Sequence, residues 1–259
     1  MNMIHTNQFS AVNARACAQS CWRAYRDGDH FGTDLVHGIA IESTIVGESG
    51  PQATVLAFRG SFEVLDWVTN ARFIRERMAD GTQVHRGFLQ AIKSATTYLL
   101  NQRRAMRAPV FVTGHSQGGA LAILAARLFE SAGLPVEAVY TFGGPRVGNG
   151  RFARDYDQLT TVPTTAGNGS STHPGLGRRT FRLVLEEDIV PRVPGWLLGY
   201  RHVGQEIFMP SLGGMRINPP LWYKCISDLA GLCRGWSQGK IEPISDHPIG
   251  RYVEAVGRL

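Results

Sequence analysis

Between Val110 and Leu128 a strand-like run passes into a helix-like run across a tight turn, and this junction constrains the fold more than any other stretch. Val110 to Gly114 are mostly β-branched or aromatic, whereas Leu121, Leu124, Ala125 and Leu128 recur at helical spacing. Ser116 sits on the turn between them. So sharp a reversal forces the serine backbone into a strained conformation that only small neighbours tolerate, and Gly114, Gly118, Gly119 and Ala120 are small. The strain lifts the hydroxyl clear of the sheet. It also points the first helical amides at the same spot, where the positive end of the helix dipole favours an anion. These are the local requirements of an acyl-transfer nucleophile.

The pattern Gly-x-Ser-x-Gly selects little by itself in a chain with 30 glycines, and it occurs a second time as Gly235-Trp-Ser237-Gln-Gly239. No apolar strand precedes that copy, and Lys240, Glu242 and Pro243 follow where a small-residue helix would begin. Context therefore selects Ser116 and rejects Ser237.

A chain of 259 residues with 43% hydrophobic and 19% charged residues suits one large globular domain, and residues 1–259 are read as a single unit. The net charge of +6 is spread out, without a basic stripe interleaved with aromatics, so nucleic acid is not an expected partner. No run approaches the length of a transmembrane segment, and the first twenty residues lack the apolar core of a secretory signal. Cytoplasmic residence is the expectation, with secretion if a leader is removed or another export route is used. Of the four cysteines, Cys17 and Cys21 lie one helical turn apart and Cys225 and Cys233 lie near the far end. The expected state is reduced core thiols, with a C-terminal disulfide or a metal as alternatives.

Taken in order, Ala14, Cys17, Ala18, Cys21, Trp22 and Tyr25 form one helical face. Strand-like runs at Gly38–Val46 and Ala53–Phe58, separated by a turn-rich segment, read as a hairpin. After Gly60-Ser61 a short helical segment places Phe62, Val64, Leu65, Trp67 and Val68 over more than half its circumference. Two readings stay open for about 61–76: a lid that offers apolar surface to a lipid, or a surface helix with Trp67 in the core. Phe88 to Leu99 form an amphipathic helix, with His85 at its entrance in a structural role. Strand, helix and strand from Val110 to Phe142 imply parallel pairing by a right-handed crossover, with ligands at the carboxyl ends of the strands. The Thr/Gly/Ser-rich stretch at about 158–179, which contains His173, is expected to be a flexible surface loop. Phe181 to Leu185 resume as a strand, and Arg201 to Phe208 read as one more.

A serine hydroxyl needs a base to take its proton, and the base needs an orienting acid. Asp188 follows a strand end and is fixed by Pro191 and Pro194, while Glu186 and Glu187 read as solvated strand-end charges. Pro248 starts the last helix, which carries Ile249, Tyr252, Val253 and Val256 on one face, so His247 projects from a defined place. His202 is the alternative base but falls within an expected strand. Ser116, Asp188 and His247 thus occur in the chain order of α/β hydrolases. Gln117, directly after the nucleophile, supplies one backbone donor to an oxyanion hole, and Ser61 is placed for a second.

The chain resembles the class 3, fungal-type lipases in Phe58-Arg-Gly-Ser61, Asp66-Trp67, Val84-His-Arg-Gly-Phe88, Val112 to Ala120, Tyr140 to Asn149, Asp188 to Pro194, His202-Val-Gly204 and Asp246-His247. The resemblance implies an α/β-hydrolase fold with a mostly parallel central sheet and helices on both faces. It implies a carboxylic-ester hydrolase that acts on acylglycerol-type esters, and it implies no metal or organic cofactor. The triad would be Ser116, Asp188 and His247, the oxyanion hole Ser61 and Gln117, and the lid the segment after Ser61 with Phe62, Leu65 and Trp67. The implied partner is a lipid or other ester substrate, met at a lipid–water interface. A phospholipase A1, an aryl-ester (feruloyl-type) esterase and a non-catalytic lipase-like binding protein are the alternatives. The stretches 158–179 and 210–245 are longer than the family pattern, which leaves substrate size open.

Overall fold

The computed structural model describes residues 2–27, 31–33, 35–45, 52–60, 73–160, 174–211, 213–220, 222–223 and 248–259. Within these the strands are β1 (Asn2–Met3), β2 (Phe31–Thr33), β3 (Val36–Ile45), β4 (Ala53–Phe58), β5 (Arg75–Arg77), β6 (Gln83–His85) and β7 (Val110–His115). They continue with β8 (Ala138–Phe142), β9 (Gly148–Asn149), β10 (Thr180–Leu185), β11 (Tyr200–Arg201), β12 (Gln205–Met209) and β13 (Arg216–Ile217). The described α-helices are α1 (Ala11–Arg26), α2 (Arg86–Ala105), α3 (Gln117–Ser131), α4 (Gly150–Gln158) and α5 (Ile249–Gly257).

The main sheet runs β1-β3-β4-β7-β8-β10-β12-β13, with β2 paired to β3. Its centre, β4-β7-β8-β10-β12, is parallel throughout, and β3 joins β4 antiparallel as the hairpin reading required. From β4 to β10 each step moves the same way across the sheet, so right-handed crossovers place the intervening helices α2, α3 and α4 on one face. The opposite face is left to the helices outside that run, α1 and α5. Alternation within the strands serves both layers: Leu56 and Val112 pack under α2 and α3, while Val55 and Phe111 pack under α1 and α5.

Side-chain caps set two helix starts. Ser10 Oγ accepts from the Asn13 amide (3.3 Å) before α1, and Asn149 Oδ1 accepts from the Phe152 amide (2.9 Å) before α4. Cys17 and Cys21 are free and buried, and burial pushes the Cys21 thiol up to about 12. No helix among the described residues is long and apolar enough to cross a membrane.

Several local expectations are revised. The 201–208 run is not one strand: it splits into β11 and β12 at Gly204, whose φ of 64° suits glycine. β11 joins a small antiparallel sheet, β11-β9-β6-β5, which the sequence reading lacked because each strand is only two or three residues long. Trp22, expected on a buried face, is 41% exposed and lies under the Arg26 guanidinium, 4.4 Å from the ring centroid. Glu186 is buried, not solvated, because its Oε2 accepts from the Ser211 amide at 2.8 Å; Glu187 is exposed as expected.

The described end of the 158–179 stretch is a 3-10 turn, Leu176–Arg179. Arg179 is fully buried there and its Nη1 donates to Glu130 Oε1 at 2.9 Å, both side chains being 0% exposed. Glu130 Oε1 also accepts from the Val136 amide at 2.7 Å, so the pair ties α3 to β8 and β10. Glu130→Ala, which strands the guanidinium, is expected to cost about 3–5 kcal/mol. In a domain of this size that lowers the melting point by roughly 10 °C, which differential scanning calorimetry would register. An unchanged melting point would mean that water reaches Arg179.

Candidate active site

β7 ends at His115 and α3 starts at Gln117, so Ser116 makes the whole connection. Its φ of 57° and ψ of −129° lie where a residue with a Cβ is strained, at a cost of about 1–3 kcal/mol. Hydrogen bonds hold it there: its amide donates to the Phe142 carbonyl at the end of β8, and its own carbonyl accepts from the Gly119 amide, each at 2.9 Å. Ser116 occupies the N-cap position of α3 without a side-chain capping bond, so its hydroxyl is not committed to the first turn. Gln117, the first residue of α3, is half-buried beside it.

Close approach of backbones requires two glycines. A Cβ on Gly118 would stand 2.2 Å from the Phe58 carbonyl oxygen, so any side chain would push α3 off β4. A Cβ on Gly60 would stand 2.9 Å from Ser116 Cβ and 2.7 Å from the His115 carbonyl oxygen. The segment leaving β4 therefore passes directly against the serine. Ser61, the next residue, lies outside the described residues, as do Phe62, Leu65 and Trp67.

Two tyrosines that the sequence reading treated only as apolar-face residues organise this region. The Tyr25 hydroxyl accepts from the Gly60 amide at 3.0 Å and lies 2.9 Å from His115 Nδ1. Burial holds that phenol well above its usual range, so it keeps its proton. Tyr25 thus ties α1 to both the Gly60 segment and the residue before Ser116. The Tyr252 ring of α5 also packs edge-on against His115 at 6.0 Å and meets Phe142 at 5.9 Å. Their signal was present in the sequence: a tyrosine on an otherwise apolar face carries a hydroxyl that must find a partner once buried.

Asp188 is fully buried just past β10. Its Oδ1 accepts from the Val190 amide (2.9 Å) and its Oδ2 from the Tyr252 hydroxyl (2.6 Å). Tyr252 thereby connects the acid to the ring cluster beside Ser116. His247 lies outside the described residues, and the chain resumes at Pro248, the N-cap of α5. His173 and Ser237 are outside them too.

The other histidines have local roles. His202 sits between β11 and β12, with Nε2 2.7 Å from the Pro191 carbonyl. His85 ends β6, where burial lowers its pKa and its ring packs on Phe88 at 4.5 Å between centroids. A cavity of about 160 Å³ between the end of β10, the segment after β12 and α5 has neither Ser116 nor Asp188 in its walls.

The family pattern Lipase (class 3) matches residues 55–198, more than half of the chain. This chain belongs to the class 3 lipase family. Within the family, it is 32% identical to secreted mono- and diacylglycerol lipase 1 of Fusarium solani, over 65% of this chain and 47% of that one. It is 26% identical to phospholipase A1-II 6 of Oryza sativa, over 96% of this chain and 65% of that one. Among solved structures, the lipase from Rhizopus microsporus var. chinensis superimposes with a TM-score of 0.56 at 27% identity, covering 76% of this chain and 72% of that chain. The fold is that of the α/β hydrolases. The chain spans about half the length of the Fusarium relative it matches.

Proposed function

We propose that this chain is a serine carboxylic-ester hydrolase that cleaves acylglycerol-type esters, with Ser116 as nucleophile, His247 as base and Asp188 as orienting acid. The observation that carries the reading is the backbone of Ser116, held at positive φ with its hydroxyl left out of helix capping. Strain of this kind persists only where the surrounding structure imposes it. Asp188 adds support, since it is buried and aligned by two hydrogen bonds, one of them from the helix that begins two residues after His247.

In this reading the imidazole of His247 takes the Ser116 proton as Oγ attacks the ester carbonyl carbon. The Gln117 amide and Ser61 hold the oxyanion, each donor lowering the barrier by about 3 kcal/mol. Collapse of the tetrahedral intermediate expels the alcohol, which takes the proton from His247. Water, deprotonated by the same imidazole, then releases the acid from the acyl-serine. The segment after Ser61, with Phe62, Leu65 and Trp67, acts as the lid of a single domain spanning residues 1–259; Arg75 and Glu76, expected at its end in the 61–76 reading, belong instead to β5, which is paired to β6. The Fusarium relative is named as secreted, which favours export over cytoplasmic residence for this chain as well.

A second reading keeps the triad and changes the substrate to a phospholipid acyl ester. The rice phospholipase A1 relative favours it, since the match runs along 96% of this chain. A fluorophosphonate probe followed by peptide mapping tests the shared chemistry, and the label is expected on Ser116. An unlabelled Ser116 in folded protein would favour a non-catalytic binding role. Rates on triolein, phosphatidylcholine and a soluble short-chain ester then separate the two readings. With a working lid, lipid-ester hydrolysis rises abruptly once the substrate exceeds its solubility.

A further inference from the structure

The segment between Asp188 and β12 carries a feature that the ester chemistry does not use. Trp196, Leu197 and Leu198 form a single 3-10 turn and are 61%, 80% and 50% exposed. Three consecutive large apolar side chains exposed together form a contiguous patch of the kind that marks a protein or membrane contact. The base of the turn is anchored. Pro194 and Tyr200, on either side, are buried, and Gly199 closes the turn at φ 78°. The Arg146 amide donates to the Val193 carbonyl (2.9 Å), and its guanidinium donates to the carbonyls of Arg192 and Pro194. From the other side, Arg201 Nη1 donates to the carbonyls of Trp196 and Tyr200, both at 2.8 Å.

Position and charge narrow the partner. Arg146 follows β8, whose Phe142 carbonyl holds the Ser116 amide, so the turn stands at the same end of the sheet as the nucleophile. The Tyr200 hydroxyl donates to the Phe73 carbonyl at 3.3 Å, and Arg75 lies over the Tyr200 ring, 5.6 Å from its centroid. The side chains shown at the base of the turn are therefore Arg75, Arg146 and Arg201, of which Arg75 and Arg201 are exposed, whereas the Arg192 guanidinium donates to the Glu186 carbonyl at 2.8 Å.

We infer that Trp196, Leu197 and Leu198 are a wedge that enters a lipid–water interface bearing anionic headgroups, with the arginines around its base meeting the headgroup charge. One protruding turn is convex and small, whereas a stable protein partner needs about 800 Å² on each side. Tryptophan at headgroup depth, leucine below it and cations around them match the layering of an interface. The wedge would hold the chain with the Ser116 end toward the lipid. It extends the lipid-ester reading by naming the charge of the surface and the residues that grip it.

The test uses the Ser116→Ala protein, so that binding is read without turnover, and vesicles of phosphatidylcholine with and without phosphatidylglycerol. Binding is expected to be tighter when phosphatidylglycerol is present. Leu197→Ser should weaken binding to both vesicle types roughly tenfold, since one buried leucine side chain is withdrawn from the lipid. Arg75→Gln should remove part of the preference for phosphatidylglycerol only. Because Leu197 is 80% exposed, the melting point of Leu197→Ser should not change. The inference is overturned if Leu197→Ser binds as tightly as its parent, or if it changes only the oligomeric state, which would make the turn a contact between protein chains. Vesicle binding by a protein whose Ser116 resists the fluorophosphonate probe would leave the wedge standing and remove the hydrolase reading instead.

Discussion

Ser116→Ala is expected to lower kcat on a p-nitrophenyl ester by roughly 10⁴- to 10⁶-fold, because the attacking oxygen is gone while oxyanion donors and binding contacts remain. The fold should not suffer. Alanine keeps the Cβ, so the strain at φ 57° is neither added to nor relieved, and the backbone bonds to Phe142 and Gly119 do not involve the side chain. Ser116→Gly separates the two consequences of that geometry. It should be equally inactive yet more stable by about 1 kcal/mol or more, since glycine accepts positive φ without a steric penalty. Ester hydrolysis and thermal melts on the three proteins check this together. Activity surviving in Ser116→Ala would remove the serine from the mechanism. A glycine variant no more stable than wild type would show that the turn is not strained.

Asp188→Asn carries the second large effect, an expected loss of roughly 10⁴-fold in kcat. The neutral amide fits the same space: its carbonyl can face the Val190 amide while its NH₂ turns to the Tyr252 hydroxyl, which is able to accept. Only the charge and the orienting acceptor for an imidazole are lost, so the melting point should move little. Tyr252→Phe is the control that leaves the charge in place and removes one aligning bond. It should cost roughly tenfold in kcat/KM, in keeping with one hydrogen bond to a charged group. If Asp188→Asn lost no more activity than Tyr252→Phe, the acid would be aligning structure and not an imidazole. Both variants are read by steady-state kinetics beside a melt.

Much of the architecture was legible because it rests on short-range rules. The continuous apolar, β-branched and aromatic runs at 53–58, 110–115 and 138–142 pointed to strands buried on both faces, and the helical spacing of Leu121, Leu124 and Ala125 pointed to the helix after Ser116. Where local and tertiary preferences diverged, the reading failed. The 201–208 run has strand-like residues, yet Gly204 turns the chain so that β11 and β12 join different sheets. Glu186 looked like a solvated charge because nothing near it in sequence offers a donor; its donor is the Ser211 amide, 25 residues on.

For the site, the sequence by itself determined the chemistry on offer: a serine on a glycine-flanked turn, an acid past a strand end and a histidine before a proline, in an order that limits how they can meet. Tertiary structure alone decided what surrounds Ser116 and Asp188. Tyr25 reaches His115 across 90 residues and Tyr252 reaches Asp188 across 64, distances at which spacing carries no information. Nor could the sequence tell that Trp196, Leu197 and Leu198 face water, since hydrophobicity states a preference for burial and only the packing of the whole chain decides whether room remains. Turn strain and strand propensity are settled by neighbours a few bonds away, whereas strand pairing, burial and hydrogen-bond partners are settled by everything the folded chain brings near.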